Sequence, residues 1–176
     1  YSFRKQINEK LDLLGKQKLT EGNHWSSTEV DSFKSYVVPF KTNGSLLAGV
    51  PAAESKNASA NVRALKRLNW SEMVSIPDDY NYYKVGDVYY ENGFPIGVVY
   101  EITDAGLHGK IVSLEDERMS WGDTLIVSNA ISATNGAQNM DSIYANADFD
   151  KGEYQYPLDY PIFWVYTLGD EWYLPA

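Results

Sequence analysis

The sequence predicts an α+β fold on three observations. An amphipathic helix stands at the start, a run of β-branched and aromatic segments separated by turn chemistry occupies the middle, and short helical segments lie near the end. Phe3, Ile7, Leu11 and Leu14 recur at helical spacing, and Gly15 supplies a stop. Ser35–Phe40 (SYVVPF) reads as a strand, with Pro39 placing it at an edge or bulge. A turn over Thr42–Gly44 would return Leu46–Val50 as its hairpin partner, and Pro51–Ala60, small and polar, reads as loop. Asn61–Leu68 fits helix and strand periods equally.

Val85–Tyr90, Ile96–Ile102 and Lys110–Leu114 predict a three-stranded meander, joined through Asn92-Gly93 and the segment 104–109, where Asn and Gly accept positive φ. Glu115–Asn135 looks irregular. Ala137–Tyr144 is a short helix candidate, 148–159 a loop, and Pro161 opens a helix reaching Leu168 before Gly169. The expected organisation is a segment 1–70, a linker 71–81 and a segment 82–176 that together build one compact core.

Composition narrows function. Among 176 residues, 24 Asp and Glu oppose 15 Lys and Arg, a formal charge of −9. That balance opposes the counterion release that drives nucleic-acid binding, so no nucleic-acid partner is expected. With no Cys and two His, thiol chemistry, disulfides and His-rich zinc sites are disfavoured, and no cofactor or metal is expected. The apolar runs fall short of the roughly 20 residues that cross a bilayer, so membrane insertion is not expected.

Several segments carry a resemblance. Tyr83–Asp87 (YKVGD), Gly97–Tyr100 (GVVY), Leu107–Leu114 (LHGKIVSL), Trp121, Trp172–Pro175 (WYLP), His24–Glu29 (HWSSTE), Tyr36–Phe40 and Val62–Leu68 (VRALKRL) resemble bacterial C-type-lectin-like domains of exported and surface proteins in gut Bacteroidetes. The resemblance implies a C-type-lectin-like α+β domain of antiparallel strands with two short helices. It makes Trp25, Ser26, Thr28, Arg63, Trp121, Trp172, Leu174 and Pro175 structural signature positions. It also implies a secreted or cell-surface protein.

The order departs from the family. Segments that ordinarily close the domain occupy 1–70, and those that open it occupy 82–176. A circular permutation and a junction of tandem domains, closing internally or by domain swap between copies, both account for this. Either way, Tyr36–Phe40 is expected to pair with strands of the second segment.

Catalysis is not expected. Ser26, Ser27 and Thr28 lie beside His24 on one strand without triad spacing, and the related formylglycine-generating group depends on cysteines that this chain lacks. Trp25 and Trp172 read as core anchors. The acidic groups Glu115, Asp116, Glu117 and Asp148, Asp150, Glu153 read as solvated surface, since no calcium-loop spacing is present. The best ligand candidates are Tyr154, Tyr156, Asp159 and Tyr160, whose rings, hydroxyls and carboxylate suit a glycan or a surface protein. The expected activity is a non-catalytic recognition module; the alternative is a structural segment of a tandem-repeat surface protein with no ligand of its own.

Overall fold

The computed structural model describes residues 2–40, 50–69, 83–104, 107–122, 127–146 and 160–176. The chain is α+β, with two mostly antiparallel sheets and, among the described residues, three short helices where the resemblance implied two. It divides into two compact units, each assembled from separated stretches: residues 1–19 with 65–116, and residues 20–64 with 117–176. Each unit therefore takes chain from both halves of the sequence. The expected linker, 71–81, lies outside the described residues.

In the first unit, α1 (Ser2–Leu13) buries Ile7 and Leu11, one turn apart, and leaves Leu13 exposed. It ends in a Schellman motif: the Lys16 N–H donates to the Leu11 carbonyl (2.8 Å) and the Gly15 N–H to that of Asp12 (3.0 Å), with Gly15 at φ 66°. Ile7 and Leu11 join Leu19, Val98, Val112 and Leu114 in one apolar cluster.

Four strands of this unit, β5 (Leu65–Asn69), β6 (Val88–Glu91), β7 (Phe94–Thr103) and β8 (His108–Ser113), lie side by side in the order β5-β8-β7-β6. The meander is as the sequence predicts, and Asn92 and Gly93 form its first turn at φ 51° and 82°. Glu101 sits opposite Lys110, and their side chains form an ion pair of 2.8 Å across the strands.

The second unit contains β1 (Gly22–Glu29), β2 (Lys34–Phe40), β3 (Ala52–Ser55), β4 (Ser59–Val62) and β9 (Glu117–Ser120), in the sheet order β3-β2-β1-β4-β9. The β1–β4 pair is parallel. Two helices and a short strand complete the unit: α2 (Gly136–Asn146), α3 (Pro161–Thr167) and β10 (Trp172–Tyr173).

Several expectations need correction here. Tyr36–Phe40 pairs directly with β1 and β3, both from the first half of the sequence, and shares its sheet with β9 of the second half only through β1 and β4; the pairs that join the halves include β4–β9 and β5–β8. Pro51–Ala60 is not loop but carries β3 and the start of β4, because the sheet registers supply the hydrogen bonds that its weak strand propensity does not. Asn61–Leu68 resolves into the end of β4 and most of β5. Strand β9 lies in the stretch read as irregular. Of the expected hairpin partner, Leu46–Val50, all but Val50 falls outside the described residues; β3 pairs with β2. Among the described residues β3 pairs with Lys34–Val37 and stops short of Pro39, which suits a residue that has no N–H to donate to a ladder.

Helix α2 starts at Asn135, whose Oδ1 accepts the Gln138 N–H (3.2 Å). Its inward face carries Gly136, Asn139, Met140 and Ile143. A Cβ built on Gly136 would lie 1.9 Å from the Leu174 carbonyl oxygen and 2.9 Å from the Tyr173 ring. Gly136→Ala is therefore expected to push α2 away from Tyr173–Leu174 and cost at least about 1–3 kcal/mol. Urea denaturation checks this, and an unchanged midpoint would contradict the close approach.

Candidate functional site: an apolar rim on a buried polar frame

Strand β1 is covered on both faces, since every residue from His24 to Glu29 is buried. Four of those six are Ser, Thr or Glu, whose polar atoms need partners inside the fold. The Ser27 N–H and Oγ both donate to the Pro175 carbonyl (2.6 and 3.0 Å). Thr28 Oγ1 donates to the Ser132 carbonyl (2.8 Å), and Ser26 Oγ accepts the Thr28 N–H (2.9 Å). From α2, buried Asn139 donates through Nδ2 to the Ser132 carbonyl (2.8 Å) and to the hydroxyls of Ser27 and Thr28 (both 3.2 Å), while its Oδ1 accepts the Ser132 N–H (2.9 Å).

At the end of β1, the Glu29 carboxylate is paired with Lys56, their side chains 3% and 0% exposed. Its Oε2 accepts the Ser128 N–H (2.8 Å), the Ser128 hydroxyl (3.1 Å) and the Asn129 N–H (3.1 Å). The Lys56 ammonium also stands 4.9 Å from the centre of the Trp121 ring. Both carboxylate oxygens are committed, so Glu29 is a fastener and not a free base. Burial of charge on these terms holds only with partners in place.

This frame fixes two loops. The turn 30–34 is closed by the Val30 and Asp31 N–H groups donating to the Lys34 carbonyl (3.0 and 3.2 Å) and by Asp31 Oδ1 accepting from the N–H groups of Phe33 and Lys34 (2.7 and 2.8 Å). The Phe33 carbonyl in turn accepts the Lys56 N–H (2.9 Å). Segment 127–131 is held by Glu29 Oε2 and by the Glu29 N–H donating to the Ala130 carbonyl (2.7 Å).

These loops display apolar side chains outward: Val30 is 40% exposed, Phe33 61%, Val127 52% and Ile131 78%. Val30, Val127 and Ile131 are each the chain neighbour of a residue in the frame, and Phe33 binds Lys56 through its carbonyl. An apolar set held out on a fixed frame is the physical form of a contact surface.

The signature residues gather in this same unit. Trp25 is fully buried and its Nε1 donates to the Met119 carbonyl (2.9 Å); Trp121 Nε1 donates to the Ser26 carbonyl (2.8 Å). Arg63, Trp172 and Leu174 are buried and Pro175 is half-buried. Of the ligand candidates, Tyr154, Tyr156 and Asp159 lie outside the described residues. Tyr160 is half-buried at the N-cap of α3, where its carbonyl accepts the N–H groups of Phe163 and Trp164 (both 3.1 Å). Asp116, expected on the solvated surface, is buried, whereas Glu115 and Glu117 are exposed as expected. Among the described residues, no three His, Asp or Glu side chains gather as a metal site would require. No described helix is long and apolar enough to cross a membrane.

Sequence reasoning missed Glu29, Lys56, Ser128 and all four rim residues. The only local signal is an apolar residue stranded in polar turn chemistry, as in Val30-Asp31-Ser32-Phe33.

A second surface feature titrates. Tyr144, on α2, and Tyr166, on α3, meet edge to face with centroids 5.3 Å apart. Partial burial, then the nearby Asp141, Tyr144 and Asp170, hold the Tyr166 phenol above its ordinary value of 10.0. A raised phenol keeps its proton in the folded state after the unfolded chain has lost it. Its stabilising contribution is therefore complete below pH 10 and falls as pH rises through the raised value. Tyr166→Phe is expected to flatten that alkaline loss, read from urea midpoints between about pH 9 and 11; an identical slope in the variant would contradict the assignment.

No protein-family model, curated protein or solved structure matches this chain.

Proposed function

We propose that this chain is a non-catalytic recognition module of C-type-lectin-like fold, from a secreted or cell-surface protein, and that it contacts a protein partner through the rim of Val30, Phe33, Val127 and Ile131. The observation that carries the reading is the rim itself: four apolar side chains, 40–78% exposed, on loops pinned by a buried ion pair. Solvent-exposed apolar groups on ordered loops are poor for a chain's own stability and suit burial against a partner.

The lectin-like reading draws support from the second unit, where HWSSTE, Trp121 and WYLP meet although they are far apart in the sequence. It makes the unusual segment order a matter of connectivity and not of fold. A protein partner fits the rim better than a glycan. Sugar faces stack on aromatic rings flanked by hydrogen-bonding groups, and this rim offers three aliphatic side chains and one ring.

Parallel screens of a surface-protein array and a glycan array test the proposal, using the wild-type chain and the double variant Phe33→Ser/Ile131→Ser. Exposed positions should change stability by no more than about 0.5 kcal/mol, so the variant should fold normally. The expected result is protein hits that the variant loses. Hits that survive the double substitution, or hits confined to glycans, would remove the rim from the function.

A further inference from the structure

Charge is unevenly divided along the chain. The stretches 20–64 and 117–176 hold thirteen Asp and Glu against six Lys and Arg, −7 of the −9 total. The other unit is close to balance, with eleven against nine. Burial sharpens the contrast: Lys56 and Arg63 are inside the second unit, while among its described acids only Glu29 is buried. What remains outside includes exposed Glu21, Asp31, Glu117, Asp141, Asp170 and Glu171 against exposed Lys34 and Arg118. Arg118 is turned back onto its own sheet, donating to the Ser59 carbonyl (3.0 Å) and to Asn61 Oδ1 (3.4 Å).

The rim is thus an apolar surface on an acidic body. We infer that its partner is a cationic protein segment, one that presents an apolar anchor side chain flanked by Lys or Arg. This rests on the reading of the rim as the contact surface and adds the partner's chemistry. The anchor meets Phe33 and Ile131, and the cationic flanks meet the negative potential of the unit, which raises the association rate and rejects acidic competitors. A second copy of the chain is a poor occupant on the same ground, because each copy carries the same acidic unit, −7 by formal charge.

Two labelled synthetic peptides with the same helical pattern of Leu test this, one carrying Lys and the other Glu at every polar position. Fluorescence anisotropy is read with the wild-type chain, with Phe33→Ser/Ile131→Ser, and with Tyr90→Ser/Phe94→Ser, which removes two exposed apolar side chains from the first unit instead. The expected result is binding of the Lys peptide alone, weakened about tenfold or more by the rim substitutions, unchanged by the control pair, and weakened as salt is raised. If both peptides bind and the rim substitutions weaken both, the contact surface stands and its charge preference is overturned. If the Lys peptide binds all three proteins alike, attraction is general to the acidic body and the rim is not its site. Absence of binding by either peptide overturns the inference, as does concentration-dependent dimerisation in sedimentation that the rim substitutions abolish, since the occupant is then a second copy.

Discussion

Lys56→Met is expected to lower the unfolding free energy by about 3–5 kcal/mol, because it strands the Glu29 carboxylate inside the second unit. Adding Glu29→Gln should recover part of the loss. Gln removes the uncompensated charge and keeps a carbonyl oxygen for the donors of Ser128 and Asn129. The double-mutant cycle in urea should show this as a favourable coupling between the two substitutions. A cost below about 1 kcal/mol for Lys56→Met would place the pair in water and dissolve the frame on which the rim argument stands.

Trp25→Ala is the second large effect. Its ring is fully buried on β1 and its indole N–H is used, so truncation loses transfer energy, opens a cavity and removes the indole donor from the Met119 carbonyl. About 3–5 kcal/mol is expected, a large part of the roughly 5–15 kcal/mol available to a small domain. Trp172→Ala should fall in the same range, while Phe33→Ser should stay within about 0.5 kcal/mol of wild type. Comparable losses in all three would mean that Phe33 belongs to the core and that scaffold and contact surface have been divided in the wrong place.

These effects fall on residues of unequal legibility. Ile7 and Leu11 declare α1 by spacing, and Asn92-Gly93 declares its hairpin by backbone chemistry, because both signals are local. Helix α3 is legible for the same reason, through Pro161 at its start and Gly169 beyond its end, and α2 is legible as the helix candidate Ala137–Tyr144 although its Asn135 cap is not. Strands β3, β4 and β9 are not: Ala52–Ser55 has no strand propensity to speak of and is extended because β2 offers it a ladder. Trp25 and Trp172 announce burial by their size. Glu29 and Lys56 look like any surface pair, and nothing within ten residues of either says that Trp121 and Ser128 will close over them.

The bond between Ser27 and Pro175 spans 148 residues, and this sets a schedule. At a synthesis rate of about 5–20 residues per second, roughly 7–30 s separate the two ends of that bond as the chain emerges. The residues of the first unit have all been made once residue 116 is added, while β1 must wait for β9, α2 and the WYLP segment before its hydroxyls and Trp25 are covered. For that interval Trp25 lacks the covering segments that bury it in the finished chain. Long-range pairing of this kind makes closure of the second unit the slow step. It also makes the nascent chain a form exposed to aggregation.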